Sequence, residues 1–209
     1  LYTCNNVSMS SKDLRERKKW QDYSGANAAK AERDFYENLK GYFEENNSSL
    51  YVEPKPPELK SIYVDFPLDN MTQEEIYTPD QEIVNHGIRP DYVIRNKDND
   101  KSLYVEVKRQ DGWVEGKPRS AGRGNAHERS CKFFTPGLLA ELRKYGNISN
   151  EYLPFWTVFQ GDISRDPCRV REVSLWYKGC EGHFFFWRPS HTVDELISHF
   201  EKNLEHIIR

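Results

Sequence analysis

The chain reads as an α/β protein: a central mixed β-sheet flanked by helices. Three observations predict this. Alternating apolar runs of strand length occupy the middle and the C-terminal half, an amphipathic helical pattern precedes them, and another closes the chain. The 209 residues suffice for one large domain with a substantial core. Aromatic residues are abundant (Tyr 12, Phe 11, Trp 5), yet mean hydropathy is −0.86, so large rings are expected inside and charge outside.

The first 24 or so residues are polar and weakly periodic, and residues 1–25 are read as a flexible or peripheral segment before a single domain over 26–209. Ala28, Ala31, Phe35, Leu39, Tyr42 and Phe43 recur at helical spacing, predicting a helix to about Glu45 that ends in the loop NNSS. VEPKPPELK is Pro-rich and breaks regular structure, whereas SIYVDF fits a short strand. DYVIR and LYVEVK alternate, and the polar stretch between them is a hairpin turn. RQDGWVEGKPRSAGRGNAHER is a long glycine-containing loop leading into a helix entered near Ala126. LPFWTVFQ, RVREVSLWY and HFFFW read as strands. Thr192 and Glu195, at capping-box spacing, open a terminal helix with Val193, Leu196, Ile197, Phe200, Leu204 and Ile207 on one face.

Composition excludes some classes of function. No apolar run approaches the ~18 residues of a membrane span, and the opening LYTCNNVSMSSKDLRERKKW lacks the pattern of a signal peptide, so a cytoplasmic protein without membrane association is expected. Cys4, Cys131, Cys168 and Cys180 show no CxxC pairing and are read as reduced thiols. The net charge of −3 argues against indiscriminate coating of nucleic acid, but the charge is segregated. From Lys108 to Lys132 there are seven Lys/Arg against three acids; from Ser61 to Ile88 there are six acids and no Lys or Arg.

The hairpin carries the chemistry. On a strand, Leu103, Val105 and Val107 point one way and Tyr104, Glu106 and Lys108 the other. A turn at Asp98-Asn99 pairs residues whose numbers sum to 197, which places Asp91 opposite Glu106. Two carboxylates that close repel unless a cation neutralises them, and hard oxygen ligands suit Mg²⁺. A lysine beside such a metal can orient or deprotonate a water, as phosphodiester hydrolysis requires. A plain surface ion network is the bland alternative.

The stretch AGRGNAHERSCKFFTP adds independent information. Gly122 and Gly124 permit close backbone approach, and Arg123, Asn125 and Arg129 are side-chain types that read base edges, with Glu128 placed to hold neighbouring arginines. A loop that contacts only phosphates is the alternative. His127 and Cys131, four apart, lack a second ligand pair, and packing or phosphate contact is the better reading.

Pro-Asp followed by fourteen residues and EVK, then KRQDGWVEGK and GRGNAHERSCK, resembles the type II restriction endonucleases of the EcoRI/MunI group, with the MunI branch the nearer match. The likeness runs from about residue 26 to the C-terminus and is tightest from Lys108 to Pro189. It implies a PD-(D/E)XK restriction-endonuclease-like core with a recognition loop and helix over 111–135. It also implies a prokaryotic homodimer that straddles palindromic CAATTG in double-stranded DNA and leaves a 5′ AATT overhang, with a methyltransferase of the same specificity in the same cell. By the resemblance Asp91, Glu106 and the Val107 carbonyl ligate Mg²⁺ and Lys108 acts on the water. Asn125 and Arg129 read the inner AATT, Arg123 contacts the outer guanine, and Gly124, Ala126 and His127 complete the DNA-binding set. Glu32, on the first helix, resembles an acid that supports the metal site in related folds; a solvated helical glutamate is at least as good a reading, and Glu32 is left outside this core set. Two other readings of the residues remain: a repair or recombination nuclease that reads DNA structure, and a DNA-binding protein without catalysis.

Overall fold

A computed structural model of the chain describes residues 11–46, 48–111 and 128–209, of which 11–24 are described through their backbone. Helix α1 (Ser11–Glu45) leads into strand β1 (Leu50–Pro54), the short helix α2 (Asn70–Glu75) and the hairpin β2 (Tyr92–Asn96) and β3 (Ser102–Gln110). A 3-10 helix over Glu128–Phe134 precedes α3 (Pro136–Gly146), β4 (Phe155–Gly161), α4 (Pro167–Trp176), β5 (Phe184–Trp187), α5 (Val193–Asn203) and α6 (Glu205–Ile208). The five strands lie in the order β1-β2-β3-β4-β5, antiparallel from β1 to β3 and parallel from β3 to β5. The sheet is mixed, as expected.

Strand alternation divides the core in two. Leu103, Val105 and Val107 of β3 join Trp156 and Val158 of β4 beneath Phe35 and Leu39 of α1 and Leu196 and Phe200 of α5. On the opposite face Tyr104, Phe155 and Phe159 pack with Phe133, Leu142 of α3 and Val173 of α4. Arg95 on β2 ties the far end of the hairpin to its neighbours: it reaches Glu53 at 2.7 Å, Glu58 at 2.9 Å and the Ser102 hydroxyl at 3.1 Å, while the Tyr104 hydroxyl donates to Glu58 at 2.9 Å.

Four elements differ from expectation. Helix α1 begins at Ser11 instead of Ala28, so most of the weakly periodic N-terminal stretch is helical. LYVEP forms β1 because Leu50 and Val52 alternate inward and its proline lies at the end of an edge strand, where the missing donor costs nothing. SIYVDF is not a strand: Ile62 is buried, but Val64 and Phe66 on the same alternation are exposed. RVREVSLWY is helix α4, not a strand. Asp166 caps it by accepting the Cys168 amide at 3.0 Å, Pro167 occupies the first turn, and Arg169, Val173 and Tyr177 are buried at four-residue spacing. Its β-branched and aromatic content suggested a strand; the Asp-Pro start was the better signal.

The C-terminal helix starts as read, but Leu204 leaves the helical backbone and divides it into α5 and α6. The Thr192 hydroxyl accepts the Glu195 amide at 3.3 Å and Glu195 accepts the Thr192 amide at 2.6 Å, closing the capping box. Cys131, Cys168 and Cys180 carry free thiols.

Beneath α5, the His183 Nδ1–H donates to the Phe155 carbonyl at 3.0 Å, and burial pushes the pKa of this imidazole down to about 4. Between that value and the ordinary 6.5 the unfolded chain binds the proton that the folded chain refuses. The stabilisation is complete above about pH 6.5 and is lost as pH falls toward 4, by ~3 kcal/mol in all. Urea unfolding at pH 7 and pH 5 is expected to show this loss, and His183→Phe is expected to reduce it.

Candidate active site

The site forms where β2 has ended and β3 continues. Pairing of Tyr92 with Val105 gives the predicted sum of 197, and the register places Asp91, one residue before β2, against Glu106. The next amide on that side, Val107 N–H, would have no strand partner; Asp91 Oδ2 accepts it at 2.8 Å. Pro90, itself buried, immediately precedes Asp91, which lies at the bend before β2. The carboxylate therefore continues a ladder that the backbone has left.

Lys108 lies on the same face of β3 as Glu106. Its Nζ is 2.5 Å from Glu106 Oε1 and 3.7 Å from Asp91 Oδ2, so one ammonium bridges both acids. Glu106 is 7 % exposed, and its other oxygen, Oε2, is buried with no hydrogen-bond partner among the described residues. Burial raises the Glu106 pKa, Lys108 works against that rise, and Asp91 adds to it. Burial works to lower the Lys108 pKa, but Glu106 and Asp91 overcome it and raise it, so the group is an ammonium at neutral pH. A buried carboxylate oxygen left without a donor is costly, and it marks where a cation belongs.

The donor set fits a hard divalent ion. Asp91 and Glu106 offer carboxylate oxygens, and Val107 directly follows Glu106 in the chain. Among the described residues no group of three or more His, Cys, Asp or Glu converges for a metal. A cation held here must keep waters or phosphate oxygens in its remaining positions, which is the habit of Mg²⁺.

Two further residues approach this centre. Glu32 of α1 is half-buried; burial and then the charge of Asp91 raise its pKa, while Lys108 lowers it. It is thus in electrostatic reach of the triad, not a solvated helical acid. Gln110 continues the Glu106 and Lys108 alternation, and its carboxamide oxygen is buried without a hydrogen-bond partner among the described residues. Strand periodicity is the signal in the sequence that points to Gln110, which the motifs above do not include.

Of the residues proposed to bind DNA, Arg123, Gly124, Asn125, Ala126 and His127 lie outside the described residues. Arg129 is exposed on the 3-10 helix Glu128–Phe134, four residues before Phe133 anchors that helix in the core.

The chain matches the family described as type II restriction enzyme MunI over residues 9–209. This chain belongs to the MunI family of type II restriction enzymes. The match begins some 17 residues before the stretch that carries the resemblance in the sequence, and takes in all of α1. The type II restriction enzyme MunI of a Mycoplasma species is 46 % identical over 200 residues, 94 % of this chain and 98 % of its own length. A crystal structure of MunI restriction endonuclease in complex with cognate DNA superposes with a TM-score of 0.77 at 44 % identity, covering 91 % of this chain and 97 % of that one. As a MunI-family enzyme the chain is a site-specific deoxyribonuclease of the type II class, and its mixed sheet is the one expected of that group. No helix among the described residues is long and apolar enough to cross a membrane.

Proposed function

We propose that Asp91, Glu106 and Lys108 are the catalytic residues of this restriction enzyme, that Asp91, Glu106 and the Val107 carbonyl hold Mg²⁺, and that the sequence cut is CAATTG. The observation that carries the reading is the orphaned, buried Glu106 Oε2 beside an Asp91 already held in place by the Val107 amide. Bound there, Mg²⁺ supplies a water of lowered pKa and a positive charge against the scissile phosphate. The residues do the rest. Asp91, fixed by its amide bond to Val107, needs little reorganisation to present its oxygens, and Glu106 is held in place by its burial on β3. Lys108, on the same face of β3 as Glu106, would turn its N–H groups to the attacking water.

In this reading the enzyme is a cytoplasmic homodimer with one such centre per DNA strand, cutting to leave 5′ AATT, and the cell protects its own DNA with a methyltransferase. Arg123 meets the outer guanine; Gly124, Ala126 and His127 lie against the duplex; Asn125 and Arg129 read the inner bases. Digestion of a fully sequenced plasmid in Mg²⁺, with fragment ends mapped by sequencing, tests the whole. Ends confined to CAATTG support it; ends at another palindrome remove the assigned sequence; scattered ends restore a structure-reading nuclease; intact plasmid removes the catalytic assignment.

Arg129→Ala is expected to reduce discrimination against substitutions within AATT by ~1–3 kcal/mol for each bidentate pair of hydrogen bonds to a base. Cleavage rates on CAATTG and on single-base variants measure it. Equal weakening on every sequence would reassign Arg129 to a phosphate.

A further inference from the structure

Three residues other than glycine have a left-handed backbone among the described residues: Lys55 at φ 50°, Asp100 at φ 56° and Asn147 at φ 51°. Two of them are residue types that accept this conformation readily. Asp100 turns the hairpin between β2 and β3, and Asn147 ends α3, its amide donating to the Arg143 and Lys144 carbonyls. Lysine has no short polar group to bond its own backbone, and glycine would hold the same turn without a Cβ penalty. The surroundings nevertheless keep Lys55 strained. Its amide donates to the Asp91 carbonyl at 3.0 Å, one step beyond the last pair of the β1–β2 ladder, Pro54 with Tyr92. Pro56 behind it is buried, and Glu58, three residues on, is fixed by Arg95 at 2.9 Å and by the Tyr104 hydroxyl. Strain that neighbours over-determine in this way gathers where a chain meets a ligand.

The register narrows what that ligand is. Lys55 stands opposite Asp91, and Asp91 opposite Glu106, so one row across β1, β2 and β3 carries a lysine and both carboxylates. With strands ~4.8 Å apart, the Lys55 backbone lies about 5 Å from that of Asp91 and about 10 Å from that of Glu106, on the flank away from β3. Lys108 is engaged by Glu106 and Asp91. Lys55 is exposed and has no carboxylate partner among the described residues, yet its charge is felt at Glu32, beside Asp91. The phosphates of one DNA strand recur every ~3.4 Å along the helix axis, so a strand cut at Asp91 and Glu106 carries a neighbouring phosphate within reach of a lysine on that flank.

We propose that Lys55 binds a phosphodiester next to the scissile one on the same DNA strand, its left-handed backbone setting the ammonium so that the strand is aligned across Asp91 and Glu106. The inference rests on the catalytic reading above and adds a phosphate-binding residue that no motif in the sequence marks. The contact is ionic and carries no base preference of its own. It serves the reaction by position: the row that holds the reacting phosphate also holds its neighbour.

Single-turnover cleavage of a CAATTG duplex in Mg²⁺, and duplex binding in EDTA over a range of salt, test it. The proteins are wild type, Lys55→Arg, Lys55→Ala, Lys55→Gly and, as control, Lys97→Ala, which lies past the other end of the same strand pair. Lys55→Gly relieves the backbone and is expected to melt no lower than wild type, yet it and Lys55→Ala should cut ~10–100-fold more slowly. Lys55→Arg keeps the charge and should restore most of the rate; Lys97→Ala should cut as wild type. Binding by Lys55→Ala should weaken alike on every sequence, with the slope of log K against log salt reduced by about one per protomer. Duplexes carrying one uncharged methylphosphonate on either side of the scissile phosphate locate the contact: at one position the change should slow wild type and leave Lys55→Ala no slower than before. Equal methylphosphonate effects in both proteins at both positions overturn the phosphate contact, and so does Lys55→Gly cutting at the wild-type rate. A wild type that leaves CAATTG intact removes the catalytic reading instead. The salt slope then decides Lys55 alone: a drop of about one per protomer supports the contact, and an unchanged slope overturns it.

Discussion

Asp91→Ala is expected to abolish cleavage, lowering the single-turnover rate at least ~10³-fold, while specific binding of the duplex is kept or tightened. The carboxylate has two duties that the substitution separates by size. As acceptor for the Val107 amide at 2.8 Å it fixes the end of β3, and its loss leaves one N–H to water at a cost of ~1–3 kcal/mol in stability, too little to unfold a domain of this size. As one of the two carboxylates proposed to hold the metal, it would determine whether the ion binds at all. Without metal the same charge opposes the DNA: at ~5 Å and an effective dielectric constant of ~20, a carboxylate and a phosphate repel by roughly 3 kcal/mol, offset in part by Lys108. Removing it therefore favours binding as it removes catalysis. Asp91→Asn keeps an oxygen for the Val107 amide and loses the charge. Both variants should fail in single-turnover cleavage while shifting labelled CAATTG duplex in Ca²⁺-free gels. Wild-type cutting by Asp91→Ala would remove Asp91 from the site; full activity in Asp91→Asn would reduce its role to the amide bond.

The site was more legible than the fold around it. A hairpin's turn sets its register, and a register with period-two alternation places side chains on faces, so the pairing sum of 197 and the shared face of Glu106 and Lys108 followed from local pattern. Helix α4 was not legible in the same way. Val170, Val173, Trp176 and Tyr177 satisfy a helical period as well as a strand's composition, and the choice lay in Asp166 and Pro167, residues also at home in turns. Strand β1 was hidden by the prolines after it, because their effect depends on whether a strand is at an edge, which sequence does not state. Glu32 shows a third limit. Its place beside Asp91 depends on how α1 crosses the sheet, a packing relation between residues nearly sixty positions apart. The acid run at Ser61–Ile88 was visible as charge, but only the structure shows that its apolar residues are uncovered.

Lys108→Met is expected to lower the single-turnover rate by ~10²–10⁴-fold and, at the same time, to raise the affinity for divalent cations. The two effects have one cause. In the fold the ammonium is the counter-ion of the site, 2.5 Å from Glu106 and 3.7 Å from Asp91, and Glu32 adds a third negative group within reach. Any metal must displace that ammonium from the carboxylates, so its presence lowers metal affinity even as it serves the reaction. Methionine keeps the length and the apolar stem and removes the charge. Glu106, already pushed by burial toward its neutral form, then keeps only the weaker pull of Lys132 and gains most from a metal or a proton. Calorimetric titration with Ca²⁺ or Mn²⁺ should show tighter binding in Lys108→Met than in wild type, while cleavage collapses. A variant that binds metal less well would mean that Lys108 helps to assemble the ion site and does not compete for it. Cleavage within tenfold of wild type would remove the lysine from the chemistry and leave it as a partner of Glu106.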